Sequence, residues 1–192
     1  MTQHTYLALG DSMSIDLYTG KAGGGAVSQF YESLGPDWQL VDHTVDGCMM
    51  PEVPTDIRAN IITLTIGGND AITRYDEILS ADISPLVRDH LALLRQLRAT
   101  SPGACLIVGN IYAPQSLLTH PLSLALDELN AGIAANVGAV GAQLADIRET
   151  FRGHEDEYLC CDIEPSLVGA THIARLFREA KLKWSQHAQV ER

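Results

Sequence analysis

A chain of 192 residues is the size of one domain and buries roughly 70% of its unfolded surface when it folds. Its formal charge of −11 excludes the basic stripe that nucleic-acid binding requires, and its apolar runs fall short of the ~20 residues that span a bilayer. Four cysteines (Cys48, Cys105, Cys160, Cys161) without zinc-ligand spacing, and no secretory leader pattern, predict a reduced, cytoplasmic protein.

The first predicted element is an apolar strand over 6–9 that runs straight into Gly10-Asp11-Ser12. Such a sequence places a serine hydroxyl on the turn at the C-terminal end of a strand, where oxyanion donors and a base would make it a nucleophile. Gly23-Gly24-Gly25 lacks the Lys and Ser/Thr of a phosphate-binding loop and reads as a flexible loop bordering the substrate entrance. A helix over 26–34 follows, ended by Gly35-Pro36. Next come a strand over 39–41 and the turn-like Asp46-Gly47-Cys48. Residues 61–66 are β-branched and nearly continuously apolar, as in a strand covered on both faces, and Gly67-Gly68-Asn69-Asp70 follows them directly. Leu86, Val87, His90, Leu91, Leu94 and Leu97 mark a helix over 83–99. The remaining elements are a strand over 105–108, a helix over 122–137, a strand over 143–147 and a closing helix over 166–185.

Strands alternating with helices imply right-handed βαβ crossovers and a parallel sheet. The expected fold is α/β: a flavodoxin-like three-layer α/β/α sandwich with a five-stranded parallel sheet, one domain over 1–192. Ligands in such sheets bind beyond the carboxyl ends of the strands. Three segments fall there, and each offers what an oxyanion needs: the N–H of Ser12, the unhindered N–H of Gly47 and the side-chain amide of Asn69. Asp11 is expected to hold the serine turn, Asp70 to cap the helix or turn after Asn69, and segments 70–81 and 112–121 to line the site. No metal cluster emerges from Asp11, Asp46 and Asp70 by spacing, and no cofactor is implied.

Gly-Asp-Ser after strand one, the lone Gly47 and Gly-Gly-Asn-Asp after strand three resemble the conserved blocks of the SGNH (GDSL-type) serine hydrolase superfamily. Pro165-Ser166-Leu167-Val168-Gly169 is similar to the segment that opens that family's last helix. The resemblance implies that Ser12 is the nucleophile and that Gly47 and Asn69 complete the oxyanion hole. It also implies metal-free cleavage of a small ester, thioester or acetyl group through an acyl-enzyme. The family's last block reads Asp-x-x-His-Pro, whereas this chain reads Cys161-Asp162-Ile163-Glu164-Pro165. Glu164 thus stands at the histidine position and Cys161 at the aspartate position, with Asp162 one place out of register.

Glu164 is one candidate base, with Asp162 as its helper, but an unperturbed carboxylate is a weaker base than imidazole. His154 and His172 are the histidines that could stand in, while His4, His43, His120 and His187 read as solvated and His90 as a half-buried packing residue. The rival to an acyl hydrolase is a ligand-binding protein on the same scaffold that has lost its base.

Overall fold

A computed structural model describes residues 3–74, 82–118 and 122–190. Five strands, β1 (His4–Gly10), β2 (Trp38–Thr44), β3 (Ile61–Thr65), β4 (Cys105–Gly109) and β5 (Gln143–Ala145), form one sheet in the order β2-β1-β3-β4-β5. All four pairings are parallel. The helices are α1 (Ala26–Glu32), α2 (Gly68–Thr73), α3 (Ser84–Thr100), α4 (Leu122–Ala139), α5 (Ile147–Phe151), α6 (Glu155–Tyr158) and α7 (Leu167–Val190). A separate antiparallel ribbon joins β6 (Leu159–Cys160) to β7 (Glu164–Pro165).

Strand periodicity divides the interior in two. Tyr6, Ala8, Ile61 and Ile107 pack with Phe30 of α1 and Ile173 and Phe177 of α7. Their sequence neighbours Leu7, Leu9, Ile62, Leu64 and Val108 point the other way, onto Leu94 and Leu97 of α3 and Leu129 and Ile133 of α4. Alternate residues of one strand therefore feed two cores, which makes three layers. Thr63 interrupts the apolar run at no cost because its hydroxyl pairs with that of Tyr6 at 2.8 Å. Among the described residues no helix is long and apolar enough to cross a membrane.

Several local expectations change. The strand over 143–147 ends at Ala145, because the Asp146 carboxylate accepts from the Glu149 amide and starts α5. The closing helix begins at Leu167 and runs on to Val190. The glycine run at 23–25 is not a loose loop. The amides of Gly23 and Gly25 both donate to the Asp16 carboxylate at 2.7 Å, so the cradle is filled by the chain's own acid. His90 is fully buried against Asn136, and burial pushes its pKa down to about 4, so the ring is a neutral core residue. His120 lies outside the described residues.

Strand order reverses between β1 and β3, so the crevice of this sheet opens beyond their C-terminal ends. Gly10 ends β1 at φ +120°, and a Cβ there would lie 1.8 Å from the Thr65 carbonyl oxygen, so only glycine fits. That closeness lets the Asp11 amide donate to Thr65 O at 2.8 Å, while Val45 N donates to Gly10 O at 2.9 Å.

Candidate active site

Ser12 opens a single 3₁₀ turn, Ser12–Ser14, directly above β1. The Asp11 carboxylate caps that turn by accepting from the Met13 amide at 3.2 Å, and Ser14 Oγ ties its far end to Thr65 Oγ1 at 2.9 Å. The turn is thus fixed on both sides, with the Ser12 side chain half-buried at its tip.

The second and third segments are bolted to each other. Cys48 N donates to Val45 O at 3.1 Å, closing a turn with Gly47 at φ +75°. The Asn69 amide donates one N–H to the carbonyl of Cys48 at 3.1 Å. A carboxamide carries two N–H groups, so a second is left for a ligand. Asp70 does not cap α2. Gly67 occupies the cap position, and both Asp70 carboxylate oxygens accept from Met50 N at 3.2 Å, locking α2 to the neighbouring loop.

Ser12 and Asn69 line the same cavity, with Ala71 and Ile72 of α2 and Tyr112 and Leu117 after β4 among its other walls. Parts of the expected lining segments 70–81 and 112–121 therefore do reach it; residues 75–81 and 119–121 lie outside the described residues. Gly47 is exposed on the turn beside Cys48 and is not one of the cavity's lining residues.

The four candidate proton acceptors separate cleanly. The β6–β7 ribbon lays β7 against the Ser12–Ser14 turn, and Glu164 faces the serine. Burial raises the Glu164 pKa, the neighbouring Ser12 hydroxyl lowers it, and the nearby Asp46 charge raises it. Glu164 Oε2 is buried without a hydrogen-bond partner among the described residues. Asp162, by contrast, gives both carboxylate oxygens to Ser116, accepting from its amide at 2.8 Å and its hydroxyl at 2.7 Å. His154 is exposed, with its ring stacked on Tyr158 at 4.9 Å. His172 stacks on the same tyrosine at 4.4 Å, and burial followed by the Arg175 charge lowers its pKa. Neither the histidines nor Glu164 line the cavity, but Glu164 reaches Ser12 from the ribbon side. Ser12 and Glu164 are the pair brought together.

Two features had no clear sequence signal. Asp11 is 2% exposed, and burial drives its pKa up to about 8 despite bonds from Met13 and Thr65, so it is largely protonated at neutral pH. Tyr18 OH donates to Asp46 at 2.8 Å, fastening the Gly47 turn across the rim beside Glu164. Asp11 sits inside the Gly-Asp-Ser block, yet it is chiefly its burial that raises its affinity for a proton. The partnership of Tyr18 with Asp46 spans two loops that no local pattern links.

No family model matches the chain. A curated relative, 2-isopropylmalate synthase of Herbaspirillum seropedicae (strain SmR1), is 31% identical over 120 residues, which is 52% of this chain and 20% of that protein. The chain thus matches about a fifth of that relative's length. Solved structures align over nearly the whole molecule. The lipase Lip_vut3 from a goat rumen metagenome has a TM-score of 0.73 at 22% identity, covering 93% of this chain and 97% of that one. Phospholipase A1 from Streptomyces albidoflavus NA297 gives 0.71 at 19% identity, covering 93% and 99%. The acetylxylan esterase Axe2 from Geobacillus stearothermophilus gives 0.67 at 18% identity, covering 92% and 93%. At these identities the likeness establishes a shared fold.

Proposed function

We propose, from the premise that this chain has the fold of the SGNH (GDSL-type) hydrolases, that it is a serine acyl hydrolase in which Glu164 replaces the usual histidine base. The observation that carries this reading is the placement of the Glu164 carboxylate against the Ser12 hydroxyl, on a turn that shares its cavity with the Asn69 amide.

Ser12 Oγ attacks the carbonyl carbon of an ester or thioester, and its proton passes to Glu164. The carbonyl oxygen becomes an oxyanion held by the free N–H of Asn69 and the backbone N–H groups of Ser12 and Gly47. Collapse breaks the bond to the leaving alcohol or thiol, which takes the proton from Glu164. Water then gives its proton to Glu164 and attacks the acyl-enzyme; the second collapse returns that proton to Ser12 and releases the acid. Burial raises the affinity of Glu164 for a proton, the direction a carboxylate base requires.

Ser12→Ala removes hydrolysis of short p-nitrophenyl esters while leaving the circular dichroism spectrum intact; unchanged turnover discards the assignment. One observation favours the second reading, a binding protein on this scaffold. Among the described residues nothing replaces the aspartate of the family's base, because Cys161 holds its place and Asp162 is spent on Ser116. A fluorophosphonate probe separates the two. Stoichiometric labelling of Ser12 near neutral pH marks an activated nucleophile, and no labelling marks the binder.

A further inference from the structure

We propose that the cavity beside Ser12 receives the acyl half of the substrate, so that the preferred substrates are esters or thioesters of medium-length, unbranched fatty acids rather than acetylated compounds. This rests on the hydrolase reading above.

The cavity has a volume of about 110 Å³ and opens at its mouth to solvent. Asp11, Ser12 and Asn69 bring polar side chains to its lining. The other walls are apolar and come from separate elements, among them Met13, Ile111, Leu126, Leu129 and Ile163. No Lys, Arg, His or Glu is among the described residues that line it. The hydroxyl of Tyr112 donates to the Ile163 carbonyl and is not offered to a polar substrate. Asp11 is largely protonated at neutral pH and brings little charge to the wall. A sugar hydroxyl pushed into this space would lose its water and find no partner, whereas methylenes lose nothing. An acetyl group leaves part of it unfilled, and the open mouth gives a longer chain room to extend.

The direction of the substrate follows from the other side of Ser12. There the rim is polar and exposed, built from Tyr18, Asp46 and Cys161 around Glu164. The leaving alcohol or thiol must be protonated by Glu164 and then depart, so it belongs on that rim. The chain attached to the carbonyl is left facing the apolar walls. Ile72, 56% exposed and also part of the lining, marks where the cavity opens to solvent.

Each methylene that leaves water for such a wall is worth up to about fourfold in kcat/KM. For the acetate, butyrate and octanoate p-nitrophenyl esters, kcat/KM rises along the series, with octanoate ahead of acetate by roughly 50-fold or more. Methyl octanoate is also preferred to octyl acetate. Ala125→Phe narrows the cavity from α4 and lowers the octanoate-to-acetate ratio by about tenfold or more; Ala71→Leu does the same from α2 if the first variant fails to fold. Acetate matching octanoate, or octyl acetate outrunning methyl octanoate, overturns the proposal. If no ester of any length is turned over, the hydrolase reading fails separately, and calorimetry with octanamide decides the pocket. Binding that Ala125→Phe weakens by about tenfold supports the assignment, and absence of binding overturns it.

Discussion

At the scale of single residues, the problem Ser12 poses is where its proton goes. Imidazole accepts a proton near neutral pH without help, but a carboxylate in water does so poorly. Glu164 is half-buried, leaves Oε2 unpaired and feels the negative charge of Asp46, all of which favour taking up a proton. The Ser12 hydroxyl opposes them by stabilising the charged form. In the proposed reaction Glu164 acts only when deprotonated, so kcat/KM for a good ester rises with pH through its raised pKa and then levels. Glu164→Gln keeps shape and hydrogen bonding but accepts no proton. It lowers kcat by about 10²–10⁴-fold and removes that acid limb from the pH profile. A limb that survives in the Gln variant would assign the titration to another group.

At the scale of elements, Glu164 is positioned by the ribbon and helix that flank it. Cys160 pairs with Glu164 across β6 and β7, and the connecting turn holds Cys161 at φ 51° and Asp162 at φ 72°. Two successive non-glycine residues in the left-handed region are uncommon. Here the Asp162 carboxylate and carbonyl hold the turn to residues 115–116. Gly169 fixes the other side, because α7 crosses the Tyr158 carbonyl so closely that a Cβ would stand 2.1 Å from its oxygen. Gly169→Ala must therefore push α7 away from the end of α6, where β6 begins, costing about 3 kcal/mol by overpacking and drawing Glu164 off Ser12. Chemical denaturation and ester turnover fall together in that variant; a loss of stability with full turnover would show that the helix does not set the base. The Pro165–Gly169 motif was legible in the sequence as a helix start, and Gly-Asp-Ser and Gly-Gly-Asn-Asp were legible as strand ends, because long parallel strands carry a clear apolar signature. The ribbon was not, since strands of two residues have no period. Asp162 read as a helper for the base because its partner, Ser116, lies 46 residues away in sequence.

At the scale of the whole molecule, the buried titratable groups and the net charge together set the dependence of stability on pH. Asp11, raised to about 8, with Asp70 and Glu164 raised as well, binds protons more tightly folded than unfolded. Such groups lend stability that is complete below their unfolded pKa and is lost as pH rises through the folded one. His90, depressed to about 4, and His172, also depressed, act in the opposite sense, giving stability above pH 6.5 that is lost on acidification. Between about pH 4 and 6.5 the two sets oppose each other. Above 6.5 the histidines are neutral in both states, and Asp11 continues to titrate. Stability is therefore nearly level between about pH 4 and 6.5 and declines toward 8, by up to about 2 kcal/mol from Asp11 alone. Repulsion within a chain of formal charge −11 adds to that decline. Salt distinguishes the two causes, because it screens exposed charges and barely reaches a carboxyl that is 2% exposed. In urea titrations at pH 6.5 and 8, added sodium chloride recovers only part of the loss. Asp11→Asn, which still accepts from the Met13 amide, removes most of the remainder. If Asp11→Asn in high salt declines as steeply as the native chain, the buried acid is not what the alkaline side of the curve reports.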